Sequence, residues 1–323
     1  MMLNVRLLFV FAIACVAALT GAAAQDLDYA KTKIGSHDGE VLGVFVNENN
    51  TKVATCGVDE TVKIWSLPEG KELRSLKGHI GSVNNVSFSG NDRWLASASS
   101  DMTIKIWDVE TGDLIKTLVG HNDQVIGVFF SPDDSCTFVA STSFDKTVKL
   151  WDVRLGSEIK TLRGHGKAIN NVAYSYDGKM LASCSDDLTI MIWSTDLTTK
   201  TPVRTLYGHN APVLSCLYSF DSKKIASCDV NGEIIIWDAQ SGDIINRFDQ
   251  HDELVQDISW AEDNQTLISG SLDKTLKLWN SKTGKPIWSN NLGHEIWSVD
   301  LTSDAKQLIV GCDDGSVYLF NKK

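Results

Sequence analysis

Short segments with alternating apolar and polar residues recur along the chain from residue 27 to residue 323. In each recurrence a segment ending in His precedes one with apolar residues four, seven and nine positions later, such as Val83, Val86 and Phe88. A turn rich in Asp, Gly, Ser or Pro leads to a small-residue segment such as Leu95–Ser99, and a tight Asp-x-Thr turn leads to a fourth such as Thr103–Trp107. Alternation with β-branched residues predicts β-strands throughout, because no segment follows the helical period.

The recurrence has a regular spacing of 41 to 44 residues, marked by a tryptophan in six repeats and by Phe320 in the seventh. The tryptophans are Trp65, Trp107, Trp151, Trp193, Trp237 and Trp279. A period of this length is typical of a four-stranded propeller blade. Leu27–His37 matches the first strand of a repeat, whereas no strand follows Phe320. We therefore expect the N-terminal strand to complete the last blade and close the ring, which removes exposed sheet edges.

Three polar positions recur together with the tryptophan. All seven histidines of the chain share the first position: His37, His79, His121, His165, His209, His251 and His294. Ten residues before the tryptophan stand Thr55, Ser97, Ser141, Ser183, Ser227 and Ser269, with Val310 in the seventh repeat. Six residues before it stand Asp59, Asp101, Asp145, Asp187, Asn231, Asp273 and Asp314.

With these four positions the chain resembles the WD40-repeat family over residues 27–323. The resemblance implies an all-β fold: a seven-bladed propeller with four antiparallel strands per blade. In that family the matching His, Ser/Thr, Asp and Trp form a buried hydrogen-bonded tetrad, here His79, Ser97, Asp101 and Trp107 in the second repeat. An indole N–H only donates and a carboxylate only accepts, whereas Ser and His do both, so the four groups can satisfy one another when buried.

Two repeats depart from the tetrad pattern. In the fifth, Asn231 offers no charge to His209, although it can still accept a hydrogen bond. In the seventh, at most a His294–Asp314 pair survives. We therefore expect the seventh blade, which is also the closing blade, to be the first to open.

The repeated positions of the histidines and aspartates favour a structural role over a catalytic or metal-binding one. A catalytic histidine converges with partners at one place, whereas every histidine here has the same position in its repeat. The sequence has no HExxH motif, paired CxxC motif or phosphate-binding Gly-rich loop. We predict no catalytic residue, no metal site and no cofactor. The enzyme alternative would need a cluster of unpaired carboxylates or arginines in the central channel.

The resemblance also implies where a partner binds, because WD40 proteins often use the narrow top face of the ring. The contact positions there are the residue five after the His and the residue just before the turn Asp. The first set is Leu42, Asn84, Ile126, Asn170, Leu214 and Gln256, joined by Trp297 if the last loop is two residues shorter. The second set is Val58, Ser100, Phe144, Asp186, Val230, Leu272 and Asp313. Eight of the fourteen are apolar, which is typical of a recognition patch with Phe144 and Trp297 as hot spots.

The alternative for these apolar side chains is that several lean into the blades as ordinary core. The function favoured by the sequence is a non-catalytic interaction scaffold that binds a protein or peptide, with a monomeric propeller. A net charge of −11 and the lack of a Lys/Arg run argue against nucleic acid as the partner. With 43% hydrophobic and 22% charged residues, the composition is that of a globular protein.

The first 24 residues differ from the repeats. They contain Arg6, the apolar run Leu7–Leu19 and three alanines before Gln25, which is the order of a secretory signal peptide. The run is short for a membrane span of about 20 residues, so an uncleaved anchor is the less favoured alternative. The expected domains are this leader (1–24) and the propeller (27–323), with repeats at about 37–78, 79–120, 121–164, 165–208, 209–250, 251–293 and 294–323 plus 27–36.

Cysteine usage points to a different compartment. Three of the six cysteines outside the leader, Cys56, Cys184 and Cys228, share a position that small residues fill in the other repeats. We expect six unpaired thiols, which are typical of a reducing compartment. A cytosolic assembly or signalling scaffold that starts downstream of the leader is therefore the alternative to export. Three N-glycosylation sequons, at Asn49, Asn85 and Asn264, bear on this only if they carry glycans.

Overall fold

The computed structural model describes residues 27–133 and 137–323. The expected signal peptide (1–24) and Cys136 lie outside these residues. The described residues form 28 β-strands and no helix. In these two ranges, therefore, no helix has the length and apolar character needed to cross a membrane.

The strands form seven antiparallel sheets of four strands each. In chain order they are β1 (Tyr29–Ser36), β2 (Val41–Val46), β3 (Lys52–Gly57), β4 (Thr61–Ser66), β5 (Glu72–Lys77), β6 (Val83–Phe88), β7 (Trp94–Ser99), β8 (Thr103–Asp108), β9 (Leu114–Val119), β10 (Val125–Phe130), β11 (Phe138–Ser143), β12 (Thr147–Asp152), β13 (Ser157–Arg163), β14 (Ile169–Tyr174), β15 (Met180–Ser185), β16 (Thr189–Ser194), β17 (Arg204–Tyr207), β18 (Val213–Tyr218), β19 (Lys224–Asp229), β20 (Ile234–Asp238), β21 (Ile244–Phe248), β22 (Val255–Trp260), β23 (Thr266–Ser271), β24 (Thr275–Asn280), β25 (Lys285–Asn291), β26 (Ile296–Leu301), β27 (Gln307–Cys312) and β28 (Ser316–Lys322).

The tight turn before the third strand of a blade is stabilised by its aspartate. In the second blade, Asp101 Oδ1 accepts hydrogen bonds from the Thr103 backbone N–H (2.9 Å) and the Thr103 hydroxyl (2.6 Å). The intervening residue, Met102, has a φ of 68°, a conformation that non-glycine residues adopt at some energetic expense. The Asp-x-Thr sequence therefore supplies the hydrogen bonds that stabilise this backbone geometry.

Six blades are built from four consecutive strands, and the seventh combines β26, β27 and β28 with β1. β1 pairs antiparallel with β28, from Tyr29 opposite Lys322 to Ser36 opposite Ser316. The prediction that the N-terminal strand completes the last blade is confirmed. The first and last strands of the described residues are thus joined by hydrogen bonds within one sheet.

The innermost strand of each blade packs against that of the next, and β26 packs against β2 to complete the ring. The hydrophobic core is divided among the junctions between blades. At one junction, Ala54 and Ile64 of the first blade pack with Phe88, Leu95 and Trp107 of the second. The six blade tryptophans and Phe320 are almost completely buried. The observed fold is the predicted seven-bladed propeller.

Deleting Leu27–Ile34 should destabilise the whole ring. The deletion removes most of β1 and exposes the edge of β28, so the seventh blade loses its outermost strand and the ring its closure. We expect the midpoint of thermal unfolding to fall by more than about 5 °C, which corresponds to a loss of a few kcal/mol. The exposed Thr32→Ser substitution, which keeps the backbone pairing, is the control. An unchanged midpoint in the deletion variant would contradict this role of β1.

Candidate functional site

The tetrad of the second blade shows the geometry that recurs around the ring. The Trp107 indole N–H donates to Ser97 Oγ at 2.8 Å, and Ser97 Oγ lies 2.8 Å from His79 Nε2. His79 Nδ1 lies 2.7 Å from Asp101 Oδ2. These distances fit a neutral imidazole that accepts from the serine and donates to the carboxylate. One buried hydroxyl therefore joins the loop before the innermost strand of the blade to its second and third strands.

The electrostatics of the tetrad support a neutral imidazole. Burial lowers the pKa of His79 below its ordinary value, although Asp101 acts in the opposite direction. Burial also acts to raise the pKa of Asp101, yet hydrogen bonds from Thr103 and His79 hold it below its usual value. The histidine is thus uncharged and the aspartate charged at neutral pH. The tetrad has the properties of a structural network, with every member engaged.

The fifth blade corrects one sequence expectation. His209 Nδ1 lies 2.8 Å from Asp229 Oδ2, and no hydrogen bond joins His209 to the exposed Asn231 in the described structure. Asp229 ends β19 at a position where four other blades have a serine, and its second oxygen accepts from the backbone N–H groups of Asn231 and Glu233. The expectation that Asn231 stands in for the aspartate was wrong, because a carboxylate two residues earlier reaches the same nitrogen. An Asp in place of that serine was the available signal.

The seventh blade lacks a closed tetrad. The His294 side chain is 39% exposed, and its ring nitrogens lie 3.5 Å from Asp314 Oδ2 and 3.7 Å from Asp313 Oδ1. The other six histidines are buried. Val310 and Phe320 bring only apolar contact where other blades have a hydroxyl and an indole. That this blade opens first stays a prediction.

All seven residues of the first top-face set occupy a β-bulge. In each blade the pairing register shifts between the first and third residues of the innermost strand, for example between Val83 and Asn85. The bulged residues are Leu42, Asn84, Ile126, Asn170, Leu214, Gln256 and Trp297. Trp297 thus lies where the two-residue-shorter loop predicts. A bulge re-aims the side chain that it carries, which suits a residue at the mouth of a channel.

The second top-face set is tied to the first in every blade. Each of its members donates its backbone N–H to the carbonyl two residues before the bulged residue, as Phe144 does to Gln124. Two polar pairs also join through their side chains: Asn84 with Ser100 at 3.2 Å, and Asn170 with Asp186 at 2.8 Å. The structure therefore brings the fourteen residues together as seven pairs around one opening. We call these fourteen residues the top face.

Exposure differs among the apolar members of the top face. Phe144 and Val230 are 39% and 37% exposed, respectively. The other six are half-buried: Leu42, Val58, Ile126, Leu214, Leu272 and Trp297. In the seventh blade, the Trp297 indole N–H and Asp313 Oδ1 are buried without a hydrogen-bond partner among the described residues. A buried donor and acceptor left unpaired is unusual in a folded protein.

Polar side chains on the innermost strands connect successive blades around the channel. The Asn171 amide donates to Ser215 Oγ at 3.0 Å, and the Ser215 hydroxyl donates to Asp257 Oδ1 at 3.1 Å. The Ser298 hydroxyl donates to Asp257 Oδ2 at 2.7 Å and accepts from the Val44 N–H at 3.0 Å. The chain of bonds crosses four blade junctions, including the one that closes the ring. Asp257 stands at its centre.

A second channel carboxylate, Asp300, forms hydrogen bonds at the junction between the seventh and first blades, which closes the ring. It accepts hydrogen bonds from the Val46 N–H and the Ser259 hydroxyl, both at 2.7 Å. Burial raises the pKa of Asp257 and of Asp300 to about 6 each, despite these hydrogen bonds. No Lys or Arg forms an ion pair with either group in the described part of the chain. Sequence reasoning missed both residues, since nothing in one repeat shows what faces it across a junction.

The sequence analysis also missed a third set of residues that differ from blade to blade. They lie two residues beyond the innermost strands, at the opposite end of the channel from the top face. They are Glu48, Gly90, Pro132, Tyr176, Phe220, Glu262 and Ser303, and all of them line the same cavity of about 340 Å³. We call these seven residues the lower mouth. Their shared position after the strand was the available signal, because the turns around them are otherwise alike.

Two groups among the described residues bring three potential metal ligands within 4.8 Å of one another. His209, Asp229 and Glu233 form the first, which is part of the fifth tetrad. His294, Asp313 and Asp314 form the second, at the edge of the top face. These are the described residues that could hold a metal ion. The five described cysteines are buried and unpaired, and burial raises the thiol pKa of Cys56, Cys184 and Cys228.

Comparison with known proteins agrees with the repeat geometry. The family model described as "WD domain, G-beta repeat" matches seven segments: residues 30–66, 70–108, 112–152, 156–194, 200–238, 242–280 and 284–321. The chain belongs to the WD40-repeat family. Each matched segment ends one residue after a blade tryptophan or after Phe320, so it covers the outermost strand of one blade and the three inner strands of the next.

The relatives of this WD40 propeller are similar to it over different lengths. The crystal structure of the WD40 β-propeller domain of Doa1 superposes with a TM-score of 0.80 and 27% identity, covering 92% of this chain and 98% of that one. Protein HIRA of Zea mays is 43% identical over 15% of this chain and 5% of its own length. The WD repeat-containing protein 89 homolog of Dictyostelium discoideum is 30% identical over 26% and 23%, respectively. The matched segments span less than a quarter of these two proteins.

The corrected fifth tetrad can be tested with two substitutions. Asp229→Ala should lower the free energy of unfolding by roughly 1–3 kcal/mol, because it leaves the buried His209 without its acceptor. Asn231→Ala should change it by no more than about 0.5 kcal/mol, because this side chain is exposed. Urea unfolding of both variants measures the difference. A larger loss in Asn231→Ala would restore the original expectation.

The burial of Asp257 should appear in the pH dependence of stability. With a folded pKa of about 6 against an ordinary 3.8, the native state takes up a proton in that window and the unfolded chain does not. As the pH rises from about 4 to about 7, the free energy of unfolding of wild type should therefore fall by about 2 kcal/mol relative to that of Asp257→Asn, allowing for the partial exposure of Asp257. Urea unfolding at both pH values measures this loss, with the exposed Asp243→Asn as the single-charge control. A stability difference that does not vary with pH would contradict the assignment.

Proposed function

We propose that this WD40 propeller is a non-catalytic interaction scaffold whose top face binds a protein or peptide partner. The observation that carries the proposal is the ring of seven bulges. It carries seven side chains of different chemistry at equivalent positions, while the tetrads of six blades share the same four kinds of group. Constant support beneath a varied surface is the arrangement expected of a recognition platform.

The exposed groups of the top face suggest the chemistry of that partner. Phe144 and Val230 offer apolar surface, and aromatic residues are enriched among binding hot spots. The Trp297 N–H and Asp313 Oδ1, which lack a hydrogen-bond partner among the described residues, would be satisfied by a polar acceptor and a donor from the partner. A peptide with an apolar side chain next to a free backbone carbonyl and N–H fits these groups. The family membership supports the same function, since WD40 propellers generally bind proteins.

The enzyme alternative has weaker support. The channel does contain two carboxylates, Asp257 and Asp300, of the kind that such a site would need. However, the two carboxylates accept seven hydrogen bonds between them from serines and backbone N–H groups, most of them across blade junctions. This arrangement favours a role in holding blades together. We therefore propose no reaction for this chain.

Replacing Phe144 and Trp297 with alanine should abolish partner binding. The double variant removes the exposed aromatic ring and the unpaired indole, and hot-spot truncation costs about 2 kcal/mol or more per residue. Affinity purification from the native source, followed by mass spectrometry, compares the partners recovered by wild type and variant. The control is Ile115→Ala on the outer strand β9, where the side chain is 47% exposed. Recovery of the same partners by a folded double variant would show that binding occurs elsewhere.

A further inference from the structure

The cavity lined by the lower mouth carries negative charge without positive charge to balance it. Its lining includes four charged side chains, and all four are acidic: Glu48, Asp257, Glu262 and Asp300. No Lys, Arg or His of the described chain is among the lining residues. Like charges on a concave wall of low dielectric reinforce one another and concentrate cations from solution. The cavity therefore has the electrostatic character of a cation-binding site.

The acidic groups are arranged at two depths on one side of the channel. Glu48 and Glu262 belong to the first and sixth blades and flank the seventh, which contributes Asp300 from β26 between them. Both glutamates are exposed, and within the described residues their carboxylates have no hydrogen-bond or ion-pair partner. Asp300 lies deeper, where a serine and backbone N–H groups bind it but no cation does. The carboxylates of Glu48 and Glu262 thus lie at the rim of the cavity, and Asp300 lies deeper without a positively charged partner.

Aromatic side chains occupy the opposite side. Tyr176 and Phe220 of the fourth and fifth blades stack with ring centroids 4.3 Å apart and an angle of 23° between their planes. Burial raises the pKa of Tyr176, and the carboxylates of Glu48, Asp300 and Glu262 raise it further. Tyr176 and these three carboxylates all line the same cavity. Aromatic faces attract ammonium groups, so both sides of the cavity favour the same kind of ligand.

The spacing of the charges selects among cations. The groups in which three ligand atoms come within 4.8 Å lie elsewhere in the described structure, so these carboxylates do not converge on one metal ion. Separated charges fit a flexible ligand that carries two or more ammonium groups. A lysine of the chain shows the compatible chemistry nearby: Lys224 Nζ lies 5.9 Å from the centroid of the Trp260 ring, which also lines the cavity.

We propose that the lower mouth binds a flexible alkylammonium ligand, with one ammonium group between Glu48 and Glu262 and another directed toward Asp300. A free polyamine and the lysine side chains of a peptide carry this same chemistry. The methylene chain would lie against Tyr176 and Phe220. The site is distinct from the top face, because the two sets of residues lie at opposite ends of the innermost strands.

Isothermal titration calorimetry with spermidine tests the proposal on the full chain. We expect saturable binding to wild type, and binding at least about tenfold weaker to the Glu48→Gln/Glu262→Gln variant, since the variant removes both negative charges at the rim. The matched control is Glu69→Gln/Glu110→Gln, which changes the net charge equally at exposed positions outside the cavity. Thermal melting verifies that both variants are folded.

A second titration, with an acetylated and amidated tetralysine peptide, distinguishes the two sources. Tighter binding of spermidine indicates a free polyamine, and tighter binding of the peptide indicates a protein partner; either result, with weakening by the rim substitutions, supports the site. The proposal is overturned if neither probe saturates, if the control variant weakens binding equally, or if magnesium at the same ionic strength competes as well as spermidine. The measurement needs no partner protein, so its failure leaves the proposed top-face function untouched.

Discussion

One buried hydroxyl in each of six blades is the interaction on which the rest of the ring depends. It accepts the indole N–H of the third strand and contacts the histidine in the loop before the innermost strand, as Ser97 does with Trp107 and His79. The histidine in turn holds the aspartate that shapes the tight turn. Because each group is buried, loss of any one leaves another unsatisfied. The network therefore determines both the shape of the blade and the position of the loops at the top face.

The ring needs a second set of contacts, because each tetrad acts within a single blade. Hydrophobic clusters provide most of the contacts between blades, and the hydrogen bonds centred on Asp257 and Asp300 add contacts of defined geometry. These bonds are concentrated where the sixth, seventh and first blades meet. The seventh blade has no closed tetrad, so the channel carboxylates and the pairing of β1 with β28 hold the least regular part of the ring.

How much could be foreseen from the sequence depended on whether a feature lies within one repeat. His79 and Asp101 share a blade, and the recurrence of their positions was enough to associate them. Trp297 could be aligned because the apolar residues after it keep their spacing. Asp229 was missed because alignment by position chose Asn231, although a side chain two residues away reached the histidine. Asp257, Asp300 and the lower mouth were missed because their neighbours belong to other blades.

The sequence by itself determined the seven repeats, the strand pattern, the closure by the first strand and the residues of the regular tetrads. All of these follow from periodicity, because a residue's position in its repeat specifies its environment within the blade. The tertiary structure decided which side chains remain exposed at the top face and which carboxylates face the channel without a counter-charge. The physical reason is that exposure and electrostatic balance arise from groups brought together across the ring. The tetrads that mark the repeats thus account for the scaffold, and the top face and the lower mouth carry the side chains available for binding.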